Sequence, residues 1–138
     1  MNSRTKARLR AVESLFEADQ RGEDPVEVLQ RRRLHTAAQI SSYSEQIVRG
    51  VRDRREELNE YLNTYARDWS LERMPATDRV VLLIGAWELL FNDDIPDAVA
   101  ISEATGLARV LSTNDSPKFV NGQGQTNLTG VTLDSLRF

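Results

Sequence analysis

The sequence predicts an all-α protein of about six to seven helices, in two packed helical subdomains around a buried central helix at residues 76–92. Three observations carry this prediction. Asp78–Phe91, DRVVLLIGAWELLF, is apolar or small at every position from Val80 to Phe91 except Glu88, and a helix with no polar face is buried on all sides. In the stretches on either side, apolar residues recur at spacings of three and four, the helical period. Between those stretches stand the Asp-Pro, Ser and Gly signals that start and stop helices.

In chain order, residues 4–20 place Leu9, Val12, Leu15 and Phe16 on one stripe with Ala11 beside it, and Gly22 stops the helix. Its first turns carry Arg4, Lys6, Arg8 and Arg10 and no acid. Positive charge opposes the dipole at a helix N-terminus, so the pattern reads either as a site for an external anion or as a frayed, solvated start. Asp24-Pro25 caps and opens a short second helix over residues 26–33. Its Arg31–Arg33 run reads first as a solvated helix end and second as a binding site. His35 falls in the polar connection that follows and is given no chemistry.

Ser41 or Ser42 caps the third helix, with Glu45 at capping-box distance from Ser42. Tyr43, Ile47, Val48 and Val51 form its stripe. Gly50 and the charged run from Arg52 to Glu57 mark a bend or break before a second stripe of Leu58, Tyr61, Leu62 and Tyr65. Trp69-Ser70-Leu71 then turns the corner into the central helix. There Pro75 suits a first turn, and Thr77 or Asp78 can cap free N–H groups. Asn92–Pro96 is a turn by composition, and Asp97 starts a helix over residues 97–111 with Val99, Ala100, Ala104, Leu107, Ala108 and Leu111 as its apolar side. Asn114–Gly122 reads as a capped turn leading to a final helix started by Ser116-Pro117.

Composition bounds the function. The 138 residues fit one domain, with subdomains at 1–68 and 69–122. There is no cysteine and one histidine, which rules out disulfides and leaves no basis for a Ser–His–Asp set. No glycine loop with phosphate-binding context is present. Asp93, Asp94 and Asp97 fit no calcium loop. No cofactor, metal or catalytic site is therefore expected. The apolar runs fall short of the roughly 20 residues a membrane span needs, and the N-terminus has no signal-type segment, so a cytoplasmic protein is expected. Net charge is −3, yet residues 1–10 carry four basic residues and no acid, whereas from residue 70 onward 9 acidic residues outnumber 5 basic ones.

Five stretches together resemble the NusB family of bacterial transcription antitermination factors: Ala7–Phe16 (ARLRAVESLF), Trp69–Pro75 (WSLERMP), Asp78–Leu90, Asp94–Ala104 (DIPDAVAISEA) and Asp115–Gly122 (DSPKFVNG). The resemblance covers residues 4–122. It implies an all-α fold in two subdomains, and an adaptor that binds single-stranded boxA RNA of ribosomal operons. The partner is NusE, a small-subunit ribosomal protein, and the complex acts indirectly on RNA polymerase with other Nus factors. By the same resemblance, the RNA contacts are Arg4, Lys6, Arg8, Arg10, Asp115, Lys118 and Phe119. The chain departs from the family pattern at Leu83, where Arg is usual, at Ser102 and at Gly106. Residues 123–138 lack the expected apolar helix and read as an atypical tail.

The residue types suit that chemistry. Arg and Lys neutralise phosphates, and exposed bases stack on aromatic or guanidinium planes. Phe119 is the nominated aromatic, with a core role as its alternative; Asp115 either accepts from a base or caps a helix. The competing reading is a protein-interaction module, or a homodimer covering the basic helix, with no RNA function of its own.

Overall fold

The computed structural model describes residues 2–35, 40–65 and 74–115, which form six helices and no strand. The chain divides into two compact units, Met1–Arg55 and Glu56–Phe138. The break lies at 55/56, whereas the sequence reading placed its subdomain boundary at 68/69.

The first unit holds three helices. Helix α1 spans Ser3–Arg21. Asn2 caps it, its side chain accepting from the Thr5 N–H at 2.7 Å. Gly22 ends it at φ 67°, ψ 35°. That left-handed conformation is open to Gly at no steric cost, and it lets the Glu23 N–H reach back to the Ala18 carbonyl at 3.0 Å. Helix α2, Pro25–His35, starts as the Asp24-Pro25 pair predicts: the Asp24 carboxylate accepts from the Val26 N–H at 2.9 Å. His35 is the last helical residue rather than part of a connection, and it is exposed.

Helix α3 spans Ser42–Asp53. Of the two candidate caps it uses Ser41, which accepts from the Ser44 N–H at 3.3 Å. Glu45 closes no capping box; it pairs instead with Arg49 at 2.8 Å and Arg33 at 2.9 Å. Gly50 stays helical and the break falls at Arg54 (φ −110°, ψ 17°).

Contacts at both ends fix the directions of these helices. The Ser44 hydroxyl donates to the Ala7 carbonyl at 2.8 Å, and Arg55, just beyond α3, pairs with Asp19 at 3.1 Å, so α3 runs parallel to α1. Arg31 meets Glu17, and Arg33 meets Glu45, while Arg52 lies 3.5 Å from Asp24; α2 therefore runs antiparallel to both. The interior is Ala7, Ala11, Val12, Leu15, Ala18, Val28, Leu29, Ile47, Val48 and Val51, all nearly inaccessible. Leu9 and Phe16, expected on the core stripe of α1, are only half-buried. The buried stripe is rotated toward Ala7, Arg8, Ala11, Ser14 and Ala18.

In the second unit α4 runs Arg55–Tyr65, with Leu58 and Leu62 fully buried. Helix α5, Ala76–Phe91, packs against α6, Asp97–Asp115. Every residue of α5 from Val80 to Glu88 is buried, as its all-round apolar sequence predicts. Leu83, where the family pattern has Arg, is fully buried among them. The N-cap of α5 is Pro75, with no side chain closing it. Thr77 and Asp78 lie inside the first turn instead, where the Asp78 carboxylate, buried to 1% exposure, suits the positive end of the helix. After α5, Asn92 accepts from the Asp94 N–H at 3.1 Å and makes the expected turn.

Helix α6 buries Ala100, Ala104, Leu107 and Ala108. Val99, expected beside them, is 41% exposed. The helix also runs on past residue 111, so Asn114 and Asp115 close it rather than open a turn. The corner at 69–71, the final helix after Ser116 and the tail 123–138 lie outside the described residues. Among the described residues no helix is long and apolar enough to cross a membrane.

Candidate nucleic-acid interface

The candidate site lies at the joined N-terminal ends of α1 and α3. The Ser44–Ala7 bond holds the two helices side by side there. A cleft of about 770 Å³ opens beside this seam, lined by Ser3, Lys6, Ala7, Arg10, Ile40, Ser41 and Ser42. Two helix N-termini thus face one cleft. Their dipoles favour an anion; α1 has no acidic residue in its first turn, and α3 carries Glu45 there, paired with Arg33 and Arg49.

The basic side chains of α1 divide into two rows, because residues four apart share a helix face. Lys6 and Arg10 point into the cleft. Arg4 and Arg8 lie on the other side of the seam, where both guanidinium groups sit over the Tyr43 ring of α3, 5.2 and 5.8 Å from its centre.

The four are not equivalent. Arg4 and Lys6 are exposed. Arg10 is one-third exposed and bonds the Glu13 carboxylate at 2.9 Å. Arg8 is 1% exposed and is therefore not a surface cation as expected. Its position explains this: Arg8, Ala11, Val12 and Leu15 have the 3-and-4 spacing of the buried face of α1. Asp115 ends α6; its side chain, with Lys118 and Phe119, lies outside the described residues. Sequence reasoning missed Tyr43 as the aromatic of this site. It was assigned to the core stripe of α3, and no local signal marks its two arginine partners, which are distant in sequence.

The acids along this side of α1 and α2 are paired with arginines, Arg10 of the cleft among them. From Arg10 a ladder of alternating charge runs along α1 and α2. Glu13 lies 3.8 Å from Arg32, Arg32 is 2.8 Å from Glu17, Glu17 is 2.9 Å from Arg31, and Arg31 is 3.0 Å from Glu23. The Arg31–Arg33 run is thus a clamp between helices and not a solvated end. Hydrogen bonding to Arg31 holds the Glu17 and Glu23 carboxyls below the ordinary range, and Glu45 is lowered by Arg49 and Arg33.

Comparison with known proteins gives a match to the NusB family over residues 5–122. The chain is 52% identical over 122 residues to the transcription antitermination protein NusB of Pseudarthrobacter chlorophenolicus, covering 88% of this chain and 90% of that one. It is 52% identical over 120 residues to the protein of the same name from Thermobifida fusca, covering 87% and 84%. Among solved structures, T. maritima NusB superposes with a TM-score of 0.69 at 27% identity, over 100% of this chain and 99% of that one. A chain in a structure described as a plectonemic RNA supercoil shares the fold with a TM-score of 0.78 at 21% identity, over 99% and 94%.

Proposed function

The chain belongs to the NusB family of transcription antitermination proteins, and we propose that it works there as an adaptor that binds single-stranded boxA RNA together with NusE. In this reading it acts in the cytoplasm on nascent ribosomal-operon RNA, and reaches RNA polymerase through NusE and the other Nus factors. The observation that carries the proposal is the α1/α3 seam, where exposed Lys6 lines the cleft between two helix N-termini and exposed Arg4 lies over Tyr43.

Backbone phosphates of the RNA pair with Arg4, Lys6 and Arg10, and the helix ends add oriented N–H donors. Arg8 supports this face from beneath. Asp115, Lys118 and Phe119 stay nominated on the family resemblance alone. A protein of net charge −3 with one small basic edge binds RNA weakly by itself, because few counterions are released. NusE completes the surface, and the acidic second half of the chain complements a basic ribosomal protein.

Fluorescence anisotropy of a labelled boxA RNA, titrated with and without NusE, tests the proposal. Binding should tighten with NusE and favour boxA over a scrambled strand. A folded protein that shows no sequence preference in either condition would sink the adaptor reading and leave a protein-interaction module.

A further inference from the structure

We infer that Arg4 is a base-stacking residue and not merely a phosphate ligand, held over the ring of Tyr43, which buried Arg8 also engages from α1. This deepens the adaptor reading and rests on it. Arg4 is exposed, yet its guanidinium lies over the Tyr43 ring at 5.2 Å. Any cation over an aromatic face gains cation–π attraction, but only a guanidinium also offers a flat outer face. An unpaired base can lie on that outer face, continuing the stack of base, guanidinium and ring. Single-stranded RNA is bound by such stacking on aromatic and arginine planes.

The supporting layer is as informative as the contacting one. Tyr43 is half-buried, and Arg8 lies over the same ring at 5.8 Å with almost no exposure. Arg4 and Arg8 are one helical turn apart and both engage one ring, so two contacts tie Tyr43 to α1. A pose fixed before binding loses less conformational entropy when the RNA arrives. Tyr43 and Arg8 are positioning residues, and Arg4 is the one that touches the base.

The test compares wild type with Arg4→Lys, Tyr43→Phe and Tyr43→Leu in anisotropy titrations at fixed salt, after circular dichroism has confirmed helical content. The probes are boxA RNA, a scrambled strand of equal length, and a strand in which abasic sites replace the bases. Arg4→Lys keeps the charge and loses the plane. It should weaken boxA binding about five- to a hundredfold, the range of one base stack, while binding to the abasic strand is unchanged. Tyr43→Phe should bind as wild type, and Tyr43→Leu as Arg4→Lys. If Arg4→Lys matches wild type on boxA, the stack is overturned and the adaptor reading survives. If Arg4→Lys weakens boxA and scrambled RNA alike, with no preference in wild type, the stack stands and the boxA assignment fails. If wild type binds none of the strands, both fail.

Discussion

The Ser44 hydroxyl donates to the Ala7 carbonyl at 2.8 Å across a buried contact, and this one bond sets the N-terminal ends of α1 and α3 side by side. Ser44→Ala removes it and should lower unfolding free energy by about 1 kcal/mol. Ser14, also fully buried, has no hydrogen-bond partner for its Oγ among the described residues. Ser14→Ala should be neutral or slightly stabilising, since an unbonded hydroxyl only adds desolvation cost. Urea midpoints of the two variants check the pair, and equal losses would contradict it.

Arg8→Glu should act on folding before it acts on RNA. The side chain is 1% exposed, and reversing a buried charge costs about 3 kcal/mol or more. The thermal midpoint should fall sharply, and any loss of RNA binding should follow the folded fraction. A variant with wild-type stability and selectively lost RNA binding would show that Arg8 faces the ligand.

The charge ladder should give the protein an acid-sensitive stability. Glu17, Glu23 and Glu45 titrate below their ordinary value of 4.5, each through hydrogen bonds to arginine. A carboxyl lowered in the folded state stabilises fully above its unfolded value and loses that contribution as pH falls through the folded one. The urea midpoint should therefore hold from pH 7 to about 5 and decline below the ordinary glutamate value. Arg31→Ala should be less stable than wild type at pH 7, and the two curves should converge in acid. A constant gap at all pH values would contradict the ladder.

Most of the fold was legible because its signals are local. Gly22, Asp24-Pro25 and Ser41 punctuate the chain where the helices end and begin, and the unbroken apolar run from Val80 could only be buried. The site was legible in position but not in detail. Arginine is read as a surface residue by type, and that habit hid the 3-and-4 spacing that places Arg8 with Ala11, Val12 and Leu15. The roles of Arg31 and Arg32 depend on Glu17, which lies 14 and 15 residues away on another helix, so no window of sequence contains them. Tyr43 was hidden in the same way: its partners Arg4 and Arg8 belong to a helix that folding alone brings alongside.

In the adaptor reading RNA is held at the α1/α3 seam by exposed Arg4 and Lys6 and by half-buried Arg10. The most direct test of this placement is the salt dependence of boxA binding for wild type and Lys6→Gln, with the RNA and any NusE held constant. Three contacts at roughly 0.7 each predict a slope near −2 for log association constant against log salt from this seam, and Lys6→Gln should be shallower by about 0.7. An identical slope for wild type and Lys6→Gln would mean that the RNA does not run through this cleft.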